Sequence, residues 1–201
     1  DALPIYTCAV NFIYSVYQPT QGYTIATSTL LGNAAGEGSK EKAQAITKVG
    51  IMLNGILGGI VVTSTFIFRH SIAGFYTHNS EVIQVAVNII TIYACGMYGD
   101  VYSNMMAFLL RTLGHERFVA KVCLGGYYGI NLPVGVALSH GLGYSYKGAW
   151  FGLVLAFYVM TAIYAKRLLT VDWDEGIESI RKSMVKAAEN EAEEEEASEV
   201  N

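Results

Sequence analysis

Five stretches of this chain carry no Asp, Glu, Lys or Arg: residues 2–36, 49–68, 82–99, 122–146 and 148–165. They are 35, 20, 18, 25 and 18 residues long. About 20 mainly apolar residues suffice to cross a bilayer as a helix. A fully buried helix of a water-soluble protein accounts for one or two such runs, not for five in one chain. The expected fold class is therefore all-α, a polytopic transmembrane helix bundle of five spans. Helices are placed at about 5–31, 46–68, 84–110, 120–139 and 148–168. A secretory signal does not explain the first run, which lacks a basic start and contains Asn11, Gln18 and Gln21. The chain starts with Asp1 rather than Met, and the expectation is a fragment or a processed product.

Charge divides the chain into two parts. Charged residues make up only 15% of the 201, against about 25% in an ordinary soluble domain. Residues 172–201 hold eleven of the seventeen acids and three of the thirteen bases. Residues 1–171, the transmembrane part, keep ten bases and six acids. The acidic net charge thus belongs to a tail, and nucleic acid is not an expected partner. In that tail Trp173, Ile177, Ile180 and Met184 recur at helical spacing beside Arg181, Lys182 and Lys186. The pattern fits an amphipathic helix on the cytoplasmic membrane surface, and equally a helix packed on the bundle. Residues 189–199 include seven Glu and are expected to be solvated and disordered.

Orientation follows from the linkers. Lys40, Lys42 and Lys48 lie in the first, Arg69 in the second, and Arg111, Arg117 and Lys121 in the third. Lys147 lies in the fourth, and Lys166 with Arg167 opens the tail. Short loops rich in Lys and Arg stay in the cytoplasm. The first and third linkers and the C-terminus are expected inside, and the N-terminus extracellular or lumenal, in a plasma or organelle membrane.

A few polar residues stand out because hydrocarbon offers them nothing to bond. Asp100 is eleven residues before Arg111, roughly 16 Å along a helix. With Arg111 at the interface, the acid sits near the midplane, where it costs at least ~2.5 kcal/mol. Such an acid faces a cavity or a partner and is a functional candidate; its structural alternative is a cap on a helix break at Gly96 and Gly99, or pairing with a polar neighbour. Tyr93, Gly96, Asp100, Ser103 and Asn104 form one helical stripe. Thr7, Asn11, Tyr14, Gln18 and Gln21 form another, and Tyr127, Tyr128 and Asn131 add polar groups to the fourth span. Stripes of this kind face protein or water; they serve as interhelical hydrogen-bond glue or as the lining of a substrate path. Asn11, Tyr14, Gln18, Tyr93, Asn104, Tyr128 and Asn131 are the candidate cavity residues. Aromatic faces among them also attract organic cations.

Other chemistries find little support. Gly32–Lys40 looks like a phosphate loop but has neither the spacing nor a preceding strand; it reads as a helix end and turn. Gly55 and Gly59 make a GxxxG pattern, read as packing within the bundle rather than as a dimer face. Cys8, Cys95 and Cys123 fall in three different runs, and the histidines lie near span ends without ligand spacing. No metal or cofactor is expected, and no catalytic triad or carboxylate pair can be assembled, so an enzyme is not expected.

Taken in order, several segments match one family. They are Gly22 with the Leu31-Gly-Asn-Ala-Ala-Gly-Glu-Gly38 turn, Phe75-Tyr-Thr with Glu81-Val, and Leu110-Arg-Thr-Leu-Gly114. Tyr127-Tyr-Gly-Ile-Asn-Leu-Pro-Val-Gly135, Gly148-Ala-Trp-Phe-Gly152 and Asp172-Trp173 follow. From about Asn11 to Trp173 the chain resembles the C-terminal half of the multidrug and toxin extrusion (MATE) family, especially its eukaryotic branch. That resemblance implies an incomplete C-lobe of a twelve-helix transporter, with these spans as helices eight to twelve. It implies a secondary antiporter that exports organic cations or xenobiotics in exchange for protons or sodium. It places Asp100 where eukaryotic members carry an acid in helix ten, implicated in cation or proton coupling. Asn11 stands where several members carry Glu, a departure from the family pattern. The partners implied are small organic cations, membrane lipid, and an N-lobe and helix seven outside this sequence. Alone, the chain is not expected to transport. The alternative is a non-transporting membrane interaction protein from a truncated gene, and a saccharide flippase is disfavoured because no Lys or Arg lies inside the spans away from their ends.

Overall fold

The computed structural model describes the backbone of residues 2–76, 79–141, 143–144 and 146–182, with the side chains of 2–14, 16 and 76 excluded. The side chains of Asn11 and Tyr14, and the glutamate-rich residues 183–201, therefore lie outside the described residues. Five long helices follow one another: α1 (Ala2–Gly36), α2 (Lys40–Tyr76), α3 (Ser80–Thr112), α4 (Glu116–Gly141) and α5 (Tyr146–Leu169). A short α6 covers 173–182. Even α5, with 24 residues, measures about 36 Å, more than the ~30 Å of hydrocarbon to be crossed.

Local chemistry sets the helix ends. At the α1–α2 turn Gly38 adopts φ 75°, a left-handed conformation that costs glycine little. Its N–H bonds to the Ala35 carbonyl at 2.9 Å and that of Ser39 to Ala34 at 3.1 Å, closing the end of α1. Asn79 caps α3, its side-chain oxygen accepting from the Glu81 N–H at 3.0 Å. Gly114, at φ 82°, closes the other end of α3, where the His115 N–H reaches the Leu110 carbonyl at 2.9 Å.

Helix α3 is the axis of the bundle and packs against α1, α2 and α5. Half of its most apolar window is buried, against 22%, 11% and 33% for α2, α4 and α5. The outer faces of these helices stay apolar: Ile60, Ile67, Leu132, Val136 and Leu155 are all exposed. An apolar exterior on helices of this length faces lipid rather than water.

Small residues make the close approaches. A methyl added at Gly55 would lie 2.0 Å from the Tyr102 hydroxyl, and the Tyr98 hydroxyl donates to the Gly55 carbonyl at 3.1 Å. The Gly55–Gly59 pattern is thus taken up by α3 of the same chain. Between α4 and α5 it is backbone that approaches, since a methyl at Gly152 would lie 2.7 Å from the Asn131 carbonyl oxygen.

Helix α4 is irregular. It widens to π geometry over Gly125–Asn131, returns to α over Leu132–Val136, and widens again over Ala137–Gly141. Pro133 removes one backbone donor and crowds the carbonyl one turn earlier. The first wide segment directly precedes it and relieves that clash.

Helix α6 packs on the bundle. Ile177 and Ile180 are buried in the core cluster that includes Leu113, and Gly176 lies against the Leu113 side chain. Lys40 Nζ meets Asp174 Oδ2 at 2.5 Å, so α6 touches the start of α2 as well as the α3–α4 turn.

Candidate functional site

Asp100 lies twenty residues into α3 and twelve from its end, about 30 Å and 18 Å along the axis. The helix runs unbroken through Gly96 and Gly99, so the acid does not cap a break. These glycines instead admit α5: Gly96 faces Val154, and Gly99 faces Phe157 and Tyr158. Two α5 side chains donate to α3 backbone at this level, Thr161 to the Gly99 carbonyl at 2.8 Å and Tyr158 to the Cys95 carbonyl at 2.7 Å.

The Asp100 side chain points into this interior and the residue is 8% exposed. The Tyr93 hydroxyl, two turns back, donates to Oδ2 at 3.2 Å. The Asn104 amide, one turn on, donates to Oδ1 at 2.8 Å. Tyr93 is held in turn by Trp150 of α5, the rings meeting edge-on at 5.9 Å. None of the three ion pairs among the described residues involves Asp100. Its charge is met by neutral donors, an arrangement that leaves the carboxylate free to exchange a proton or a cation without breaking a fixed salt bridge.

Helix α1 completes the cluster. The Tyr17 hydroxyl is in hydrogen-bonding contact with Gln21 and Asn104, and within electrostatic reach of Asp100 and Tyr127. Tyr127 packs edge-on against Phe157 at 6.4 Å. The acid is therefore bonded by Tyr93 and Asn104 of its own helix, with Tyr17 of α1 beyond Asn104 and α5 as the wall.

The stripe on α3 is brought together as its spacing demands, with Tyr93, Gly96, Asp100 and Ser103 all buried. On α1 only Gln18 and Gln21 of the expected stripe have described side chains. Tyr17 and Gln21 point inward while Gln18 is exposed. Tyr17 could have been found from its own register, since Tyr17, Gln21 and Thr24 follow one another at four and three residues. Trp150 carried no such signal, because its contact comes from another helix.

Tyr128 and Asn131 are not beside Asp100. They line an open groove of about 660 Å³ along the π-helical part of α4, together with Tyr127 and His140. Among the described residues no group of three or more His, Cys, Asp or Glu could hold a metal ion.

Comparison with known proteins gives a consistent result. The MatE family model matches residues 1–137. The chain is 28% identical over 162 residues to the Uncharacterized transporter C4B3.13 of Schizosaccharomyces pombe, covering 81% of this chain and 30% of that protein. It is 22% identical over 158 residues to Multidrug and toxin extrusion protein 1 of Homo sapiens, covering 79% and 28%. The crystal structure of the eukaryotic MATE transporter AtDTX14 superposes with a TM-score of 0.84 at 18% identity, over 90% of this chain and 41% of that one. The MATE transporter ClbM in complex with Rb+ gives 0.78 at 18% identity, over 89% and 42%. The chain thus spans about three-tenths of the length of these two relatives. With an apolar, multi-pass helical bundle and a family match over more than half of its length, the chain belongs to the MatE family of membrane transporters.

Proposed function

We propose that this chain forms part of a secondary antiporter that exports organic cations or xenobiotics in exchange for protons or sodium, with Asp100 as the coupling group. The observation that supports this reading is the buried carboxylate itself. It sits deep in α3, receives only neutral donors from Tyr93 and Asn104, and has Tyr17 of α1 near by. Binding of the coupling ion at Asp100 favours release of the exported cation, and ion loss on the other side of the membrane restores affinity. The difference in substrate affinity between the two states of Asp100 is the coupling free energy.

Alternating access rocks one repeat against another around a central site. The five helices supply part of one such lobe, and an N-lobe and a further helix of the same protein supply the surface it works against. On its own the chain does not transport. The N-terminus of α1 lies outside or in the lumen and α6 in the cytoplasm, the arrangement that the linker bases favour.

The test uses the complete protein in proteoliposomes, with efflux of a fluorescent organic cation driven by an imposed proton or sodium gradient. Asp100→Asn is expected to abolish gradient-driven efflux without lowering the amount of inserted protein, and Asp100→Glu to retain part of it. Full efflux by Asp100→Asn removes Asp100 from the mechanism.

A further inference from the structure

The groove beside α4 continues into a second chamber. The first, of about 660 Å³, runs from Tyr127 and Tyr128 past Gly135 to Ser139 and His140, with Ala149 of α5 on its far side. The second, of about 440 Å³, begins at the same Ser139 and His140 and reaches Gly143 and Tyr146. The shared residues join them into one groove. It opens to the outside of the bundle, since Tyr128, Leu132 and Val136 along it are 68%, 54% and 52% exposed.

Length and polarity narrow the choice of occupant. From Tyr127 to His140 the helix climbs about 20 Å at the α-helical rise, close to the depth of one leaflet in a hydrocarbon core ~30 Å thick. Leu132 and Val136 give an aliphatic wall, and Gly135 with Ala149 a floor from which nothing larger than a methyl projects. The Asn131 side-chain oxygen lies toward the α4–α5 seam, 3.1 Å from where a methyl on Gly152 would sit. Ser139, His140 and Tyr146 gather hydrogen-bonding groups at the end where α4 gives way to α5, the level of the membrane interface. No Asp, Glu, Lys or Arg lines either chamber. A cation or an anion therefore meets no counter-charge, and an uncharged occupant is favoured. A spanning helix fits poorly, because it needs a face along all of α4, whereas the groove is confined to its second half.

We propose that this groove binds a sterol, an uncharged rigid ring body with a single hydroxyl. The rings lie along Val136, Leu132 and Tyr128, on the floor of Gly135 and Ala149. The hydroxyl stays at the interface, hydrogen-bonded to Ser139 or His140, each of which offers both a donor and an acceptor. A rigid body is favoured over a flexible acyl chain because it has little freedom to lose on binding. Asp100 takes no part in the site, which does not depend on the transport reading.

The test is made on the complete protein in phosphatidylcholine nanodiscs that contain a trace of photoactivatable cholesterol with its hydroxyl intact. Labelled peptides are mapped by mass spectrometry, with unlabelled lipids as competitors. Label is expected to concentrate within 127–149 and to be removed by cholesterol. Cholesterol methyl ether cannot donate, and is expected to compete about three- to tenfold more weakly, the worth of one neutral hydrogen bond. Ser139→Ala combined with His140→Ala is expected to erase that difference. Val136→Trp, at an exposed position, is expected to fill the groove and lower labelling there severalfold, with the thermal midpoint and labelling elsewhere unchanged. Label spread evenly over the lipid-facing helices, or absent from 127–149 because another part of the complete protein covers the groove, overturns the site. So does undiminished labelling in Val136→Trp, and competition by diacylglycerol equal to that by cholesterol.

Discussion

The Asn104 amide donates to Asp100 Oδ1 at 2.8 Å and to the Asp100 carbonyl at 3.2 Å, one turn away on the same helix. The same side chain contacts the Tyr17 hydroxyl of α1. Asn104 therefore ties the buried acid to a second helix, and any change in the charge of Asp100 is felt at the α1–α3 seam. Hydrogen bonds to charged groups are worth about 1.5–3 kcal/mol. A double-mutant cycle with Asp100→Ala and Asn104→Ala, read by denaturant unfolding in detergent, should return a coupling of that order. Additive single effects would mean that the contact carries no energy.

The approach of α4 to α5 predicts a contrast between two glycines. A methyl at Gly152 would meet the Asn131 carbonyl at 2.7 Å and the Gly135 nitrogen at 2.8 Å, both backbone atoms that cannot swing aside. Gly152→Ala should cost about 1–3 kcal/mol, the usual price of overpacking, and lower the thermal midpoint accordingly. Gly129 has nothing within 4 Å of its added methyl. Gly129→Ala, on the same helix as the groove, should leave the midpoint unchanged or slightly raised.

These contacts also mark how far sequence reasoning reaches. The uncharged runs reveal the helical, membrane-spanning class because a charge in hydrocarbon is costly wherever it falls. Helix ends are less legible: α2 begins at Lys40 rather than near residue 46, because Lys40, Glu41 and Lys42 are good helix formers that remain in water. Asp100 and its partners Tyr93 and Asn104 share one helix and were visible from spacing alone. Tyr17 falls outside the α1 stripe of Thr7, Asn11, Tyr14, Gln18 and Gln21, of which Gln21 shares its half-buried face while Gln18 is exposed. The wide turns of α4 arise from Pro133 together with the closeness of Gly148 and Gly152 on another helix. No pattern within α4 itself encodes that closeness.

His115 gives a pH prediction. Its pKa is lowered, by burial first and by Arg167 second, with Glu175 acting the other way. The unfolded chain, near 6.5, then takes up a proton more readily than the folded one. No contribution exists well above that value. As the pH falls through it, the folded state is progressively disfavoured, until the folded-state pKa is also passed. His115→Gln should therefore match the wild type in thermal midpoint at pH 8 and exceed it at pH 5, both about 1.5 units from that reference value. Equal midpoints at both would show that the imidazole titrates alike folded and unfolded.

The last prediction concerns what holds α6 to the bundle. Two kinds of contact are available: the buried Ile177 and Ile180, and the ion pair of Lys40 with Asp174, whose side chains are 45% and 74% exposed. Burying an isoleucine is worth about 1.5–3 kcal/mol, whereas an exposed ion pair contributes about 0–1 kcal/mol. The apolar contacts should dominate. Ile177→Asp is then expected to speed amide hydrogen exchange throughout 173–182. Exchange in the 113–115 turn should rise with it, because Leu113 and Gly114 lie directly under Gly176 and Ser179. Lys40→Ala should alter exchange little beyond the first turn of α6. If Lys40→Ala frees α6 as fully as Ile177→Asp does, the helix is held by charge, and salt should release it from the native protein as well.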